Sequence, residues 1–219
     1  MTTADRRTLR AERKRNERRD AILRAAECVF SARGYPDASI SDVIDAAQIS
    51  RGTFYLYFDS KDALYLELIE RFTDLVTDAV RVVDLEDPDP AQRILENVQR
   101  MVDVALAHPE LTRLVLRESR GLNQSLDERL DRLYDFLHSM VVGALSNGAR
   151  CGLIRQVYEP VVATALIGAF KEVFLHHLSN QPLRESVRDR ERLAQALFEL
   201  SMRGLLIARP SSAHPKSLI

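Results

Sequence analysis

Apolar residues recur every three or four positions along most of the chain, the spacing that places them on one face of an α-helix. No segment alternates apolar and polar residues convincingly, and the eight prolines fall between the periodic stretches. The pattern therefore predicts an all-α fold of eight to ten helices without a sheet. The periodic stretches are 22–30, 64–79, 126–144, 162–173 and 193–205.

Residues 20–70 read as short helices separated by tight joints. Ser39 and Asp42 have the spacing of a capping box at the start of one short helix. Ser50 can cap a second short helix after the joint at residues 47–49. Two short helices joined in this way form a helix-turn-helix unit.

The second short helix divides by helical phase into a core side and an outward side. Phe54 and Phe58 are predicted to face the core. Arginine can contact guanine, a threonine methyl can contact thymine, and tyrosine hydroxyls suit phosphates. The alternative is that the aromatic side chains of this stretch only pack together and do not contact DNA. The predicted outward residues are Arg51, Thr53, Tyr55 and Tyr57.

Two neighbouring positions support contact with DNA. Gly52 has no side chain, so the start of the helix can approach the bases closely. Lys61 lies in the first turn of the next helix, where the helix dipole disfavours a cation. A phosphate placed there would satisfy both the lysine and the free N–H groups.

Charge nearly cancels over the 219 residues, with 31 basic and 32 acidic side chains. Residues 1–19, however, carry eight basic and three acidic side chains, a net charge of +5 that leaves −6 on the remainder. We expect residues 1–17 to form a flexible basic arm attracted to phosphate. The alternative is a solvated, partly disordered tail without a role in DNA binding.

Composition excludes several classes of protein. The longest apolar stretch, Val161–Phe170, is too short for a membrane span, and the charged N-terminus does not resemble a secretory signal. Cys28 and Cys151 are too few for a disulfide framework or a zinc site, and we expect Cys28 to be buried. No nucleotide-binding, hydrolase or metalloprotease motif is present, so we expect neither an enzyme nor a cofactor or metal. A cytoplasmic protein fits best.

The run from Arg18 to Ile69 resembles the DNA-binding domain of tetracycline-repressor (TetR) family transcription regulators. The rigid signature extends from Ile49 to Lys61 and is supported by Phe30, Gly34 and Tyr35 upstream. The resemblance implies that residues 50–57 form the recognition helix. It also implies DNA contacts for Ser39, Ser41, Ser50, Arg51, Gly52, Thr53, Tyr55, Tyr57 and Lys61, with residues 51–53 near bases and Ser39, Ser41, Tyr55, Tyr57 and Lys61 near phosphates.

The sequence departs from the family pattern in two places. Gln48 stands where the family usually has glycine, so a left-handed turn there would be strained by about 1 kcal/mol. Tyr57 replaces a frequent histidine, which leaves the geometry of its phosphate contact open.

The resemblance also implies the organisation of the rest of the chain. We expect a DNA-binding domain over 18–63, a long linking helix over 60–83, an effector-binding and dimerisation domain over 84–209, and a tail over 210–219. Residues 161–178 are apolar almost all round and could form a four-helix bundle with 188–207 across a two-fold axis. Burial within one subunit is the alternative.

Candidate effector contacts lie on helices expected to surround a pocket, although plain core packing is the simpler interpretation of each. An apolar pocket would favour a lipophilic or aromatic ligand. The candidates are Met101, Leu114, Tyr134, Leu137, His138, Phe170 and Phe174.

Two functions agree with these observations. The first is a homodimeric bacterial repressor, associated with the nucleoid, that a small ligand releases from a palindromic double-stranded operator. The alternative is an effector-independent architectural or protein-recruiting factor bound to DNA.

Overall fold

The computed structural model describes residues 3–84, 87–117, 124–180 and 187–203. Within these ranges the chain forms nine α-helices and no strand, which confirms the predicted all-α fold. In chain order the helices are α1 (Thr3–Arg33), α2 (Ile40–Ala47), α3 (Arg51–Tyr55), α4 (Lys61–Ala79), α5 (Pro90–Ala107), α6 (Pro109–Leu116), α7 (Gln124–Arg150), α8 (Glu159–Asn180) and α9 (Val187–Met202).

Side-chain caps begin the three helices that follow α1. Ser39 forms the predicted capping box: its hydroxyl accepts from the amide of Asp42, and the Asp42 carboxylate accepts from the amide of Ser39. Hydrogen bonds from Ser39 hold the pKa of Asp42 below its ordinary value. Ser50 and Ser60 cap α3 and α4 with their hydroxyls, which accept from the amides of Thr53 and Ala63. Because each cap satisfies amides that a helix start leaves free, the short helices have defined ends.

One hydrophobic core joins the helix-turn-helix to the rest of the chain. It takes buried side chains from α1, α2, α3 and α4, and also from α6 and α7. Tyr65 of α4 lies at its centre, fully buried, with its ring 4.4 Å from that of Tyr35 and 6.0 Å from that of Phe30. The Tyr65 hydroxyl reaches the Leu114 carbonyl of α6 at 3.4 Å. The DNA-binding helices therefore share their core with the helices behind them.

Two smaller clusters lie further from the helix-turn-helix. One packs α5 against α8 and α9 through residues such as Val102, Phe174 and Leu197. The other gathers Leu145, Ile154, Ala163 and Met202 where α7, α8 and α9 meet. Helices α5, α8 and α9 and the C-terminal half of α7 therefore pack mainly in clusters other than the core around Tyr65.

Several predicted boundaries need correction. Residues 3–17 belong to α1 and are not a flexible arm, and the predicted recognition helix over 50–57 is only five residues long. The linking helix ends at Ala79 rather than at residue 83. Cys28 is exposed rather than buried, because it lies on the outer side of α1. Residues 204–219, with the end of the predicted helix 188–207 and the tail, lie outside the described residues.

The joint between α2 and α3 keeps a left-handed residue although no glycine is present there. Gln48 has φ 53° and ψ 48°, and it is the one non-glycine residue with positive φ in the described part of the chain. Its amide donates to Asp45 and Ile44, and the amide of Ile49 donates to the Ile44 carbonyl. The glutamine therefore preserves the turn and carries the cost of its backbone conformation.

Replacing Gln48 by glycine should stabilise the protein. We expect Gln48→Gly to raise the free energy of unfolding by about 1 kcal/mol, because glycine adopts this conformation without a clash at Cβ. Urea unfolding at fixed protein concentration measures the change. Gln48→Ala is the control and should give no such gain; equal stability of the two variants would contradict the strain.

Candidate nucleic-acid interface

Helix α3 begins with two side chains that bond to each other. The Ser50 hydroxyl accepts from the amide of Thr53 at 3.1 Å and lies 2.8 Å from Thr53 Oγ1. Gly52 is exposed, and a Cβ built on it would approach only Ser50 Oγ, at 3.9 Å. The first turn of α3 is thus fixed by Ser50 and Thr53 while its outer surface stays open.

Arg51 and Tyr55 of α3, with Leu56 directly after it, form the outward surface at the recognition helix. All three are exposed, and the Arg51 guanidinium lies 5.9 Å from the Tyr55 ring centroid. Leu56 is 74% exposed, a large apolar side chain left in water beside two candidate DNA contacts. Leu56 is not among the predicted contacts, although its position halfway between Phe54 and Phe58 already places it opposite the core.

The two tyrosines of the signature occupy different environments. Phe54 and Phe58 are buried in the core as predicted. Tyr55 is exposed, but Tyr57 is half-buried and packs against the core around Tyr65. The predicted phosphate contact is therefore easier to make from Tyr55 than from Tyr57.

Ser39 and Ser41 lie at the start of α2 and are both exposed. The Ser39 hydroxyl is already engaged with Asp42, to which it donates at 2.7 Å. A phosphate contact from Ser39 would compete with this cap.

Lys61 is engaged within the protein rather than free for a phosphate. Its Nζ donates to the carbonyls of Tyr35 at 2.8 Å, Ala38 at 2.9 Å and Pro36 at 3.3 Å. It also lies 4.4 Å from the Tyr35 ring centroid. An ammonium has three N–H donors, so these carbonyls use all of them. The predicted phosphate role of Lys61 would require breaking this clamp on the α1–α2 loop.

Further contacts hold the first turns of α4 against α1. The Tyr35 hydroxyl donates to Asp62, and burial together with this bond raises the pKa of Tyr35 well above its ordinary value. The Arg19 guanidinium forms a bidentate pair with Glu67 and lies 5.1 Å from the Phe58 ring centroid. The helix-turn-helix and the start of α4 are therefore one rigid unit.

The structure divides the seven candidate effector contacts between separate places. Leu114 is buried in the core around Tyr65, and Leu137 packs against that core. Phe170 and Phe174 belong to the α5–α8–α9 cluster, with ring centroids 6.2 Å apart. A single pocket shared by all seven stays a prediction. Helical phase predicts which face of a helix is buried, but not which neighbouring helix covers that face.

The other three candidates lie on α5 and α7. Met101 is half-buried on α5. Tyr134 and His138 lie on the side of α7 that meets α8: Lys171 Nζ is 5.8 Å from the Tyr134 ring, and His138 Nε2 is 3.1 Å from the Pro160 carbonyl oxygen.

Helix α8 is apolar but little buried. Its stretch Glu159–Ser179 has a mean hydropathy of 1.4, with 11% buried inside the chain. By length and composition this helix could cross a membrane. The ten-residue apolar run Val161–Phe170 alone is too short to indicate this. A core helix of a soluble protein has the same composition, so this is weak evidence for a span. Low burial within the chain argues against the alternative that one subunit covers this helix.

The described residues offer little to a metal ion or to a lipophilic ligand in the groove between α5 and α9. No group of three or more His, Cys, Asp or Glu side chains there could hold a metal ion. A groove of about 430 Å³ is lined by polar residues of α5 and α9, a poor match for a lipophilic ligand: Gln99, Arg188, Glu191, Arg192 and Gln195.

Comparison with known proteins agrees with this geometry. Residues 22–68 match the model of the tetR family of bacterial regulatory proteins. The HTH-type transcriptional regulator YdgC of Bacillus subtilis is 27% identical over 195 residues, 87% of this chain and 93% of YdgC. The repressor NicS of Pseudomonas putida is 31% identical over 127 residues, 58% of this chain and 59% of NicS.

A solved structure extends the similarity to most of the fold. AibR, in complex with isovaleryl coenzyme A and operator DNA, superposes with a TM-score of 0.68 at 20% identity. The match covers 84% of this chain and 97% of AibR.

Substitution of Lys61 separates the clamp from a phosphate contact. We expect Lys61→Met to lower the free energy of unfolding by about 1–3 kcal/mol, because three carbonyls lose their donor. The slope of log affinity against log salt should not change. If each lysine of a dimer contacted one phosphate, that slope would fall by about 2.

Lys61→Arg is the matched variant for this test. It keeps the charge, but its planar fork does not fit three converging carbonyls. Restored stability and a restored salt slope in Lys61→Arg would contradict the clamp.

Proposed function

Because this chain belongs to the TetR family of bacterial transcription regulators, we propose that it is a homodimeric repressor released from a palindromic operator by a lipophilic small molecule. It binds DNA and is not an enzyme. The observation that carries the proposal is the exposed surface of Arg51, Tyr55 and Leu56 at a capped helix whose Phe54 is buried in the core around Tyr65.

The proposed DNA contacts follow from the exposure and the hydrogen-bonding groups of each side chain. Arg51 is exposed and can bond the two acceptors of a guanine, while Leu56 can pack on a thymine methyl. Tyr55 is placed for a phosphate. We place Gly52 and Thr53, in the first turn of α3, near the bases, and the exposed Ser39, Ser41 and Ser50 near the backbone of the DNA.

The proposed dimer uses the apolar surface of α8 together with α9. Val161 on α8 is 58% exposed and Leu200 on α9 is 60% exposed. Gly168 has no neighbour within 4 Å of a built Cβ, so a partner helix could approach it closely. Covering these residues with a second copy removes the apolar surface from water. A two-fold dimer would then present two recognition helices to half-sites about 34–36 Å apart.

The proposed effector domain comprises residues 84–209, with the helix-turn-helix domain over 18–63. AibR, whose fold this chain shares, was solved in complex with isovaleryl coenzyme A and operator DNA. An acyl chain joined to a polar carrier matches the lipophilic ligand expected from the candidate side chains on α5, α7 and α8. Acyl coenzyme A thioesters are therefore the first ligands to test.

A gel-shift experiment tests the proposal. The probe is DNA upstream of the gene for this protein or of a neighbouring gene, and the control is a scrambled probe of the same length. We expect a sequence-specific shift at moderate salt that isovaleryl or longer acyl coenzyme A thioesters reverse. Absence of any specific shift would rule out the DNA-binding function.

The division of the candidate pocket residues between two clusters favours the second function, an architectural or protein-recruiting factor without an effector. Thermal unfolding with the same thioesters distinguishes the two. A ligand that binds the folded protein raises its melting temperature. Specific DNA binding with no such rise across the series would support the effector-independent factor.

Replacing Arg51 tests base recognition directly. Arg51→Ala should relax the preference at one base pair of each half-site by about 1–3 kcal/mol. Binding to operators with single-base changes measures the preference. Arg24→Ala, at an exposed arginine of α1, is the charge-matched control and should keep it. An equal loss of affinity for all sequences would make Arg51 a phosphate contact instead.

A further inference from the structure

Helix α1 continues well beyond the domain to which it belongs. Ile22 is the first fully buried residue of α1, whereas residues 6–18 are all exposed. At 1.5 Å per residue, the helix extends about 24 Å from Ile22 to Arg6. The extension consists mainly of good helix formers, namely Arg, Leu, Ala, Glu and Lys. It is therefore an arm with a fixed direction, continuous with the DNA-binding domain.

Six of the eight cations in residues 1–19 lie on one side of the helix. At about 100° per residue, these six fall within an arc of about 140°, which we call the basic stripe: Arg6, Arg7, Arg10, Arg13, Lys14 and Arg18.

Little opposes the charge of the basic stripe. Glu12 lies on the other side of the helix, and Glu17, which lies within the arc, pairs with Arg13 at 2.9 Å. The centre of the stripe is about 150° around the helix from the side that carries Ile22 and Phe30, so the domain does not cover it.

The arm starts beside the recognition element. Arg19, at its base, lies over the ring of Phe58 in the joint between α3 and α4. The folded domain has little positive charge to offer DNA: residues 21–70 carry four basic and eight acidic side chains. One of those four is Lys61, whose N–H groups are bound to carbonyls.

We propose that the basic stripe is a second DNA-binding surface, a rigid helical arm that contacts phosphates flanking each operator half-site. The inference rests on the proposed DNA-binding function. DNA carries about one phosphate per 1.7 Å, so a stripe about 18 Å long faces several of them. The stripe supplies the electrostatic attraction that the acidic helix-turn-helix lacks, while α3 reads the bases.

Charge removal from the stripe is the first test, made with the full chain. The variant replaces Arg6, Arg10 and Lys14, which form one ridge, by glutamine. In a dimer up to six phosphate contacts are lost, so the slope of log affinity against log salt should fall by up to about 5. The control makes the same charge change at the exposed Arg81, Arg132 and Arg150 and should leave the slope unchanged. Equal slopes in the stripe variant and the control would overturn the proposal.

Helix breaking is the second test, because a flexible basic tail would pass the first. Glu12→Pro interrupts the helix, whereas Glu12→Ala removes the same charge and keeps it. We expect Glu12→Pro to bind more weakly at low salt than Glu12→Ala. It should also lose protection of up to about 7 flanking base pairs, the reach of a 24 Å arm. Identical affinities and footprints would overturn the rigid arm.

Two further readouts identify the source of any failure. The preference for the operator over a scrambled probe should survive in every arm variant, because α3 is untouched. If the unmodified protein shows no preference for the operator, the proposed function is wrong. If it shows that preference but the stripe variant keeps the salt slope of the control, only the proposal for the arm is wrong. Loss of binding to anionic lipid vesicles with unchanged DNA binding would assign the stripe to membranes and overturn the proposal.

Discussion

The packing of helix α4 against both α1 and α6 is the interaction on which the position of the recognition helix depends. Helix α3 has only five residues and one buried side chain, Phe54, so it has little means of fixing its own orientation. Tyr65 packs on the rings of Phe30 in α1 and Tyr35 in the following loop, and its hydroxyl reaches a carbonyl of α6. The same core therefore orients the DNA-binding surface and connects it to the rest of the protein.

Polar contacts add precision to this apolar packing. Lys61, Asp62 and Glu67 lie within two turns of α4, and each is bound to α1 or to the loop that follows it. Their partners are carbonyls, a phenol and a guanidinium, so each bond has a preferred direction. Apolar burial brings α1 and α4 together, and these bonds prevent the two helices from sliding. Movement of α4 would consequently move the helix-turn-helix as one body.

Much of the fold could be predicted because it depends on local patterns. The all-α class, the Ser39 and Ser50 caps, and the burial of Phe54 and Phe58 follow from spacing within a few residues. The helical arm was missed because its residues are polar and give no hydrophobic period, although their helix propensity was visible. The partners of Lys61 are distant carbonyls, which spacing does not reveal. The effector candidates fall in different clusters, and the sequence could not predict this because helical phase identifies a buried face but not the helix that it packs against.

The arrangement of the cores limits how a ligand could affect DNA binding. Phe174 packs among α5, α8 and α9, whereas Tyr65 packs among α1, α4 and α6. Helix α6 touches both: Leu111 is buried in the core around Tyr65, while Leu116 packs on the α5–α8–α9 cluster. Arg113 also ties α6 to the Leu178 carbonyl of α8, at 2.8 Å. A ligand bound among α5, α8 and α9 can act on the recognition helices through α6, and also through α5, whose Arg100 donates to the Ala79 carbonyl of α4 at 3.0 Å. It shifts them only if it favours one arrangement of these contacts over another, because a ligand without differential affinity shifts no equilibrium.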